Sequence, residues 1–245
     1  MIEQTLFALP FALLGVLFAG GGTLKTWFWV IIALAAARTA GMSFNRVIDA
    51  EIDARNPRTS DRLVPKGEVR PAMVWMTAVI SSLVLIIASF MLNRLCFYLS
   101  FPAVLMLFTY SYFKRFRASS HFYLGLVEAS APIGGYIAVT GEFTRVPFVL
   151  GLVILTWIAG LDIVYAIQDI DFDVKENLHS IPVRLGKKRA LIISAACYIV
   201  SISAMIYAGF LTHKNLPYWT AVVFVGMIFL YQQRLARSKN IALAV

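Results

Sequence analysis

The chain has little cysteine and little charge. Its 245 residues include two cysteines, Cys96 and Cys197, which stand in separate apolar runs without a CxxC pair or a neighbouring histidine. This pattern excludes a disulfide framework and a cysteine-based metal site. Charged residues make up 14% of the chain against 60% hydrophobic residues, and the mean hydropathy is +0.76. Such a composition excludes a soluble protein and predicts an integral membrane protein.

Long apolar runs fill most of the sequence. A helix needs about 20 mostly apolar residues to cross the hydrocarbon layer. The runs are continuous rather than alternating, and a backbone in lipid must satisfy its own hydrogen bonds, so helices are favoured over a barrel. The sequence predicts an all-α, polytopic bundle in one membrane domain, with two pseudo-repeated four-helix halves at roughly 1–115 and 116–245. The eight runs that qualify lie at roughly 5–22, 26–48, 71–91, 95–113, 122–140, 147–168, 189–211 and 217–233.

The basic residues are distributed unevenly between the loops. When successive loops are assigned to alternate sides, 16 of the 22 Lys and Arg residues fall on one side and four on the other, while Arg38 and Arg46 lie inside a helix. The positive-inside rule places the crowded side in the cytoplasm. Because these bases lie in short loops between spans, membrane lipid and an anionic substrate are the expected partners, and nucleic acid is not.

Two acidic clusters lie at the predicted cytoplasmic ends of the second and sixth runs. Asn45, Asp49 and Asp53 recur at steps of four, which puts them on one helix face, and Asp169 and Asp173 repeat the step. Carboxylates this close repel one another unless a cation lies between them. Oxygen-only ligands suit Mg²⁺, which takes one or two carboxylates and shares its remaining positions with phosphate and water. We therefore predict that the two clusters converge and bind Mg²⁺ with a diphosphate.

A basic loop follows each acidic cluster and would bind the outer phosphate oxygens. The plainer alternative is that juxtamembrane charges are solvated and only fix the topology. Two stepped clusters at one depth, each followed by bases, favour a site over that alternative. The basic residues are Arg55, Arg58, Arg62 and Lys66 after the first cluster, and Lys175, Arg184, Lys187 and Lys188 after the second.

The motifs resemble those of a known family. The segments NRVIDAEIDARNPRTSDRLVPKG at 45–67, YSYFKRF at 110–116, APIGGYIAVTG at 131–141 and GLDIVYAIQDIDFDVKENLHSIPVRLG at 160–186 are similar to the UbiA-type intramembrane prenyltransferases. The resemblance implies transfer of a polyprenyl chain from polyprenyl diphosphate to an aromatic hydroxy acid in quinone biosynthesis. It also implies Mg²⁺ as cofactor and a bacterial-type inner membrane as the location.

The resemblance also implies roles for individual residues. Arg46 stands where many members of the family have Asp. In this respect the chain resembles a subgroup of 4-hydroxybenzoate polyprenyltransferase-like members, which belong to a menaquinone route and use a dihydroxynaphthoate acceptor. The family usually has nine spans, one more than the eight runs here. Asp49, Asp53, Asp169 and Asp173 match the catalytic and metal-binding aspartates, and the expected diphosphate contacts are Asn45, Arg58, Arg62, Lys114 and, from its basic loop, Lys175.

Two charges lie deeper in the apolar runs. Arg38 precedes Asn45 by seven residues and Asp162 precedes Asp169 by seven, about two turns deeper on the same face. Ionisable groups at such depth are costly and usually functional. One hypothesis is that Arg38 binds the carboxylate of the acceptor while Asp162 holds Arg38 or a phenol. The alternative is a structural ion pair that joins the two helices.

Two further residues bear on the site, whereas two histidines are expected to be ordinary interfacial residues. Tyr165, one turn past Asp162, is the aromatic residue expected nearest to the acceptor, and Glu128 is expected to make an inward polar contact. His121 and His213 lie near helix ends and fit interfacial positions.

A transporter that uses paired intramembrane charges is the alternative function, but its acids would lie near the bilayer midplane.

Overall fold

The fold is all-α throughout the part of the chain that the structure describes. The structure is a computed structural model; it describes residues 2–116 and 118–238, without the side chains of residues 2–5 and 114. Within these ranges there is no strand, and a 3₁₀ turn at Ile167–Asp169 follows the seventh helix. The helices are α1 (Ile2–Phe18), α2 (Leu24–Ile48), α3 (Ala50–Arg55), α4 (Pro71–Leu92), α5 (Arg94–Phe116), α6 (Ser120–Thr140), α7 (Arg145–Ala166), α8 (Ile170–Lys175), α9 (Ile181–Leu211) and α10 (Leu216–Arg237).

Each of the eight apolar runs corresponds to one long helix, which confirms the predicted all-α membrane fold. By length and composition, six segments of the described chain can cross a membrane: α2, α4, α5, α6, α7 with the turn and α8 that follow it, and α9. Helix α1 has 17 residues, a length of about 25 Å, which is short of the roughly 30 Å hydrocarbon layer. Helix α10 is also long but is not among the six candidate membrane spans.

The helix ends differ most from expectation at α9. This helix begins at Ile181 rather than near 189, because the Ser180 hydroxyl accepts a hydrogen bond from the Val183 amide at 3.4 Å and Pro182 occupies the first turn. Gly186 then interrupts the helix with φ 78° and ψ 162°, a backbone conformation that favours glycine. The basic stretch expected as a loop is therefore partly helical.

Two compact units divide the described chain. The first contains the residues up to Tyr112 and Ser130–Phe143, and the second contains Phe113–Ala129 and the residues from Thr144 onwards. Helices α5 and α6 thus contribute residues to both units. The predicted pseudo-repeat of two four-helix halves stays a prediction.

Close helix packing holds the first unit together. A Cβ atom built on Gly15 of α1 would lie 2.2 Å from the Pro132 carbonyl oxygen of α6, and one on Gly135 would lie 2.2 Å from the Ala12 carbonyl oxygen. Only glycine therefore allows these two backbones to approach as they do. In lipid, where water adds no drive for helices to associate, such close contact of small residues is a main source of helix affinity.

A buried polar network links three helices of the second unit. The hydroxyl of Ser194 on α9 donates to the Gly160 carbonyl of α7 at 2.8 Å and accepts from the amide of Gln233 on α10 at 2.8 Å. Tyr198, one turn further along α9, donates its hydroxyl to Gln232. These bonds satisfy polar groups that would otherwise lie unpaired in an apolar interior.

Candidate active site

The first acidic cluster lies where α2 ends. Asp49 occupies the bend between α2 and α3 with φ −92° and ψ 3°, and only 1% of its surface is exposed. Its amide bonds the Asn45 carbonyl at 3.0 Å and the Asp53 amide bonds the Asp49 carbonyl at 2.8 Å. The helical spacing of four therefore persists through the bend. Asn45 donates its side-chain amide to the Asp49 carboxylate at 2.7 Å and to the Ser111 hydroxyl at 3.1 Å.

The segment after α3 folds back onto the second aspartate of the cluster. Asn56 adopts the extended conformation usual before proline, and its side chain accepts from the Arg58 amide at 2.9 Å. Thr59 is buried and donates its hydroxyl to the Asp53 carbonyl at 3.0 Å. This turn brings Arg62 to the Asp53 carboxylate, where its Nη1 lies 2.5 Å from Oδ2. Arg58 stays exposed on the outside of the turn.

The bases around this cluster have unequal surroundings. Arg46 is half-buried and within electrostatic range of Arg62 and Asp53, and its Nη1 has no hydrogen-bond partner in the described chain. Lys66, by contrast, is exposed and forms a salt bridge of 3.0 Å with Asp61, whose hydrogen bond raises the pKa of the lysine. Arg46 and Arg62 therefore supply positive charge to the buried carboxylates, while the charge of Lys66 is balanced at the surface.

The second acidic cluster follows α7 in the second unit. Asp169 ends the 3₁₀ turn with φ −103° and ψ 9°, close to the conformation of Asp49. Asp169 and Asp173 are half-buried, whereas Asp171 between them is exposed. The Leu178 amide bonds the Asp173 carbonyl at 2.8 Å and so closes the end of α8. Each cluster thus places its first aspartate at a break between a membrane helix and a six-residue helix.

The deep carboxylate of Asp162 has a partner that the sequence did not suggest. His121, the second residue of α6, is 3% exposed, and its Nδ1 lies 2.7 Å from Asp162 Oδ2. The Nε2 atom of the same ring accepts a hydrogen bond from the Ile181 amide at 3.2 Å. His121 lies near a helix end, as expected, and its side chain is buried there; its interfacial depth stays a prediction. A signal was present, because a carboxylate within an apolar run needs a partner and the chain has only three histidines.

The remaining predicted residues divide between the two units. Arg38 is half-buried on α2, Tyr165 is half-buried on α7, and Glu128 is buried on α6. Sequence reasoning missed Ser111 and Thr59, which support Asn45 and Asp53. The side chain of Lys114 lies outside the described residues.

The predicted site residues are divided between the two units. The first unit holds Arg38, Asn45, Asp49, Asp53, Arg58 and Arg62, and the second holds Asp162, Tyr165, Asp169, Asp173 and Lys175. The structure joins Asn45 to Asp49 and Asp53 to Arg62, and the convergence of the two clusters stays a prediction.

The carboxylates of the first acidic cluster are oxygen ligands of the kind that a hard cation prefers. Across residues 2–116 and 118–238, no group of three His, Cys, Asp or Glu side chains forms a ready metal site. The first cluster instead offers two buried carboxylates one turn apart, which are hydrogen-bonded to the Asn45 amide and the Arg62 guanidinium. Mg²⁺ is usually bound by one or two carboxylates together with substrate phosphate and water. The residues of the first cluster fit that mode.

Comparisons with known proteins place the chain in a family. The model of the UbiA prenyltransferase family matches residues 8–244. A 4-hydroxybenzoate octaprenyltransferase of Vibrio atlanticus (strain LGP32) is 28% identical over 214 residues, which cover 86% of this chain and 74% of the relative.

Two solved structures have the same fold. The apo structure of a UbiA homologue from Aeropyrum pernix K1 is 30% identical, with a TM-score of 0.91, and the match covers 100% of this chain and 95% of that one. A UbiA homologue from Archaeoglobus fulgidus, solved with GPP and Mg²⁺, has a TM-score of 0.79 at 18% identity, over 96% of this chain and 83% of that one. The chain therefore belongs to the UbiA prenyltransferase family.

Proposed function

We propose that this protein transfers a polyprenyl group from polyprenyl diphosphate to an aromatic hydroxy acid, 4-hydroxybenzoate or a dihydroxynaphthoate, in quinone biosynthesis. The observation that carries the proposal is the buried carboxylate pair of Asp49 and Asp53, with Arg62 bound to it, at the end of a membrane helix. Relatives named 4-hydroxybenzoate octaprenyltransferase support the class of acceptor. The protein would act in a bacterial-type inner membrane, with the site loops in the cytoplasm.

The diphosphate would bind where the acids and bases meet. Mg²⁺, held by Asp49, Asp53, Asp169 and Asp173, would neutralise the leaving diphosphate. Arg62 contacts Asp53 through Nη1, and a guanidinium has five N–H donors in a fixed fork. The same side chain can therefore hold Asp53 and a phosphate oxygen together. The other diphosphate contacts would be Asn45, Arg58, Lys114 and Lys175.

The reaction would proceed by ionisation of the allylic substrate. The bond between the allylic carbon and the diphosphate oxygen breaks, its electron pair leaves with the diphosphate, and the cation is attacked by the ring carbon ortho to the phenol oxygen. The ring proton then passes to Asp169, Asp173 or the released diphosphate. The apolar surroundings of the site would exclude water, which would otherwise quench the cation.

The acceptor would bind deeper than the diphosphate. We assign its contacts to Arg38, Asp162 and Tyr165, because Arg38 and Asp162 are charges within membrane helices and Tyr165 lies one turn from Asp162. Arg38 would pair with the carboxylate of the aromatic acid. Asp162 and Tyr165 would face its phenol.

The test is a product assay on membranes that contain the protein. Labelled polyprenyl diphosphate is incubated with each aromatic acid, in Mg²⁺ or in EDTA, and prenylated product is expected only with Mg²⁺. Asp49→Asn should lower kcat about 100-fold or more, because it removes one of the carboxylate charges that would hold the cation beside the departing diphosphate. Glu51→Gln is the matched control, since Glu51 is an exposed acid on the adjacent short helix. Full activity of Asp49→Asn would refute the proposal, and absence of product with both acids would favour the transporter.

A further inference from the structure

His121 connects two places in the second unit that lie far apart in sequence. Its Nδ1 contacts Asp162 of α7, and its Nε2 contacts the amide of Ile181, the first residue of α9. The second acidic cluster, at Asp169 and Asp173, lies between these two anchor points in the chain. One buried ring therefore ties together both ends of the segment that carries the cluster.

The hydrogen bonds fix the tautomer of this ring. A backbone amide can only donate, so Nε2 must accept the bond from Ile181 and cannot carry a proton. A neutral imidazole that accepts at Nε2 carries its proton at Nδ1, and that proton points to the Asp162 carboxylate at 2.7 Å. His121 is thus a neutral donor to Asp162. Because the residue is 3% exposed, both ring nitrogens are shielded from solvent.

The pairing leaves part of Asp162 accessible. The side chain of Asp162 is 29% exposed while that of His121 is 4% exposed, so the histidine holds one carboxylate oxygen from the buried side. A carboxylate fixed in this way presents its accessible part in one orientation. A ligand group that binds it does not have to order the carboxylate first, and this lowers the entropic cost of binding.

We propose that His121 is a positioning residue for the acceptor. Its imidazole orients the Asp162 carboxylate towards the aromatic acid and at the same time fixes the start of α9. The inference rests on the proposed function, because it concerns the acceptor contact assigned to Asp162. Neither the sequence motifs nor the family likeness assigned this histidine a role.

Two substitutions of His121 each remove one of its two hydrogen bonds and keep the other. The side-chain amide of Asn overlays the Nδ1 edge of an imidazole, so His121→Asn can still donate to Asp162 but cannot reach the Ile181 amide. The amide of Gln extends to the Nε2 edge, so His121→Gln can still accept from Ile181 but loses the donor to Asp162. His213→Asn is the control, since His213 is exposed and has a positive φ that Asn tolerates.

The Michaelis constants for the two substrates test the proposal. His121→Gln should raise KM for the aromatic acid about 10-fold, equivalent to about 1.4 kcal/mol, with KM for the polyprenyl diphosphate unchanged. His121→Asn should keep KM for the acid within about 3-fold of wild type and lower the thermal stability instead. The proposal would be overturned if the two variants had equal KM values for the aromatic acid. It would also be overturned if KM for the acid and KM for the polyprenyl diphosphate changed in parallel.

A spectroscopic measurement separates this inference from the proposed function. In ¹⁵N-histidine-labelled protein in nanodiscs, His121 should show a protonated Nδ1 and an unprotonated Nε2, and Asp162→Asn should shift the Nδ1 resonance. The reverse tautomer would overturn the inference whatever the enzyme does. Absence of turnover in a wild-type protein that shows the expected tautomer would instead count against the proposed function. Three histidines in the chain make the assignment direct.

Discussion

Breaking the Arg62–Asp53 pair should destabilise the protein unless the carboxylate is removed as well. The Asp53 side chain is 7% exposed and that of Arg62 is 31% exposed. Two unit charges at 4 Å attract by about 4 kcal/mol at the effective permittivity of 20 found near protein surfaces, and the partial exposure of Arg62 reduces this to about 2 kcal/mol. Arg46, which lies within electrostatic range of Asp53, keeps the cost below the roughly 3 to 5 kcal/mol expected for a fully buried pair.

The assay is a double-mutant cycle measured in EDTA. Arg62→Gln leaves a buried carboxylate without its partner and should lower the apparent Tm in detergent by roughly 4 to 8 °C. Asp53→Asn removes that charge, so Arg62→Gln should cost little when added to it. The exposed Lys66–Asp61 pair is the matched control, and it should show almost no coupling. Additive Tm shifts for Arg62→Gln and Asp53→Asn would refute the reasoning.

Two further predictions concern helix packing. Gly135→Ala should lower the apparent Tm by roughly 2 to 10 °C, since the new methyl group would lie 2.2 Å from the Ala12 carbonyl oxygen. Gly134→Ala, which meets no described atom within 4 Å, should leave Tm unchanged or raise it, and equal shifts would contradict the close approach. Ser194→Ala should also lower Tm, because the buried amide of Gln233 loses its acceptor; an unchanged Tm would show that water replaces the hydroxyl.

The membrane helices could be predicted from sequence because lipid leaves few alternatives. A run of about 20 apolar residues must satisfy its backbone within a helix, so the positions of the long helices follow from composition. Their ends do not, since ends depend on single residues. The hydroxyl of Ser180 starts α9 before the apolar run, and Gly186 interrupts it where the bases Lys187 and Lys188 suggested a loop.

The spacing of residues along the sequence could not predict contacts between different helices. A step of four relates Asn45, Asp49 and Asp53 because they share one helix, and their hydrogen bonds keep that spacing. No such rule relates His121 to Asp162, which is 41 residues away. The pairing depends on how α6 and α7 pack, and a single sequence carries no direct record of that packing.

The two acidic clusters share one local feature, since in the described part of the chain the first aspartate of each does not cap the short helix that follows it. Asp49 and Asp169 each stand at the N-cap of a six-residue helix, where the side chain of Asp normally accepts a hydrogen bond from the first turn. Neither carboxylate makes that bond within the described chain, although it would stabilise the helix by about 1 kcal/mol. Both residues have ψ near 0°, whereas a residue that caps a helix is usually extended, so their backbone conformation does not direct the side chain to the first turn. The missing cap bond at the equivalent residue of both clusters agrees with the proposed role of these carboxylates in binding a cation, and the Asp49 carboxylate already accepts the side-chain amide of Asn45 one turn earlier.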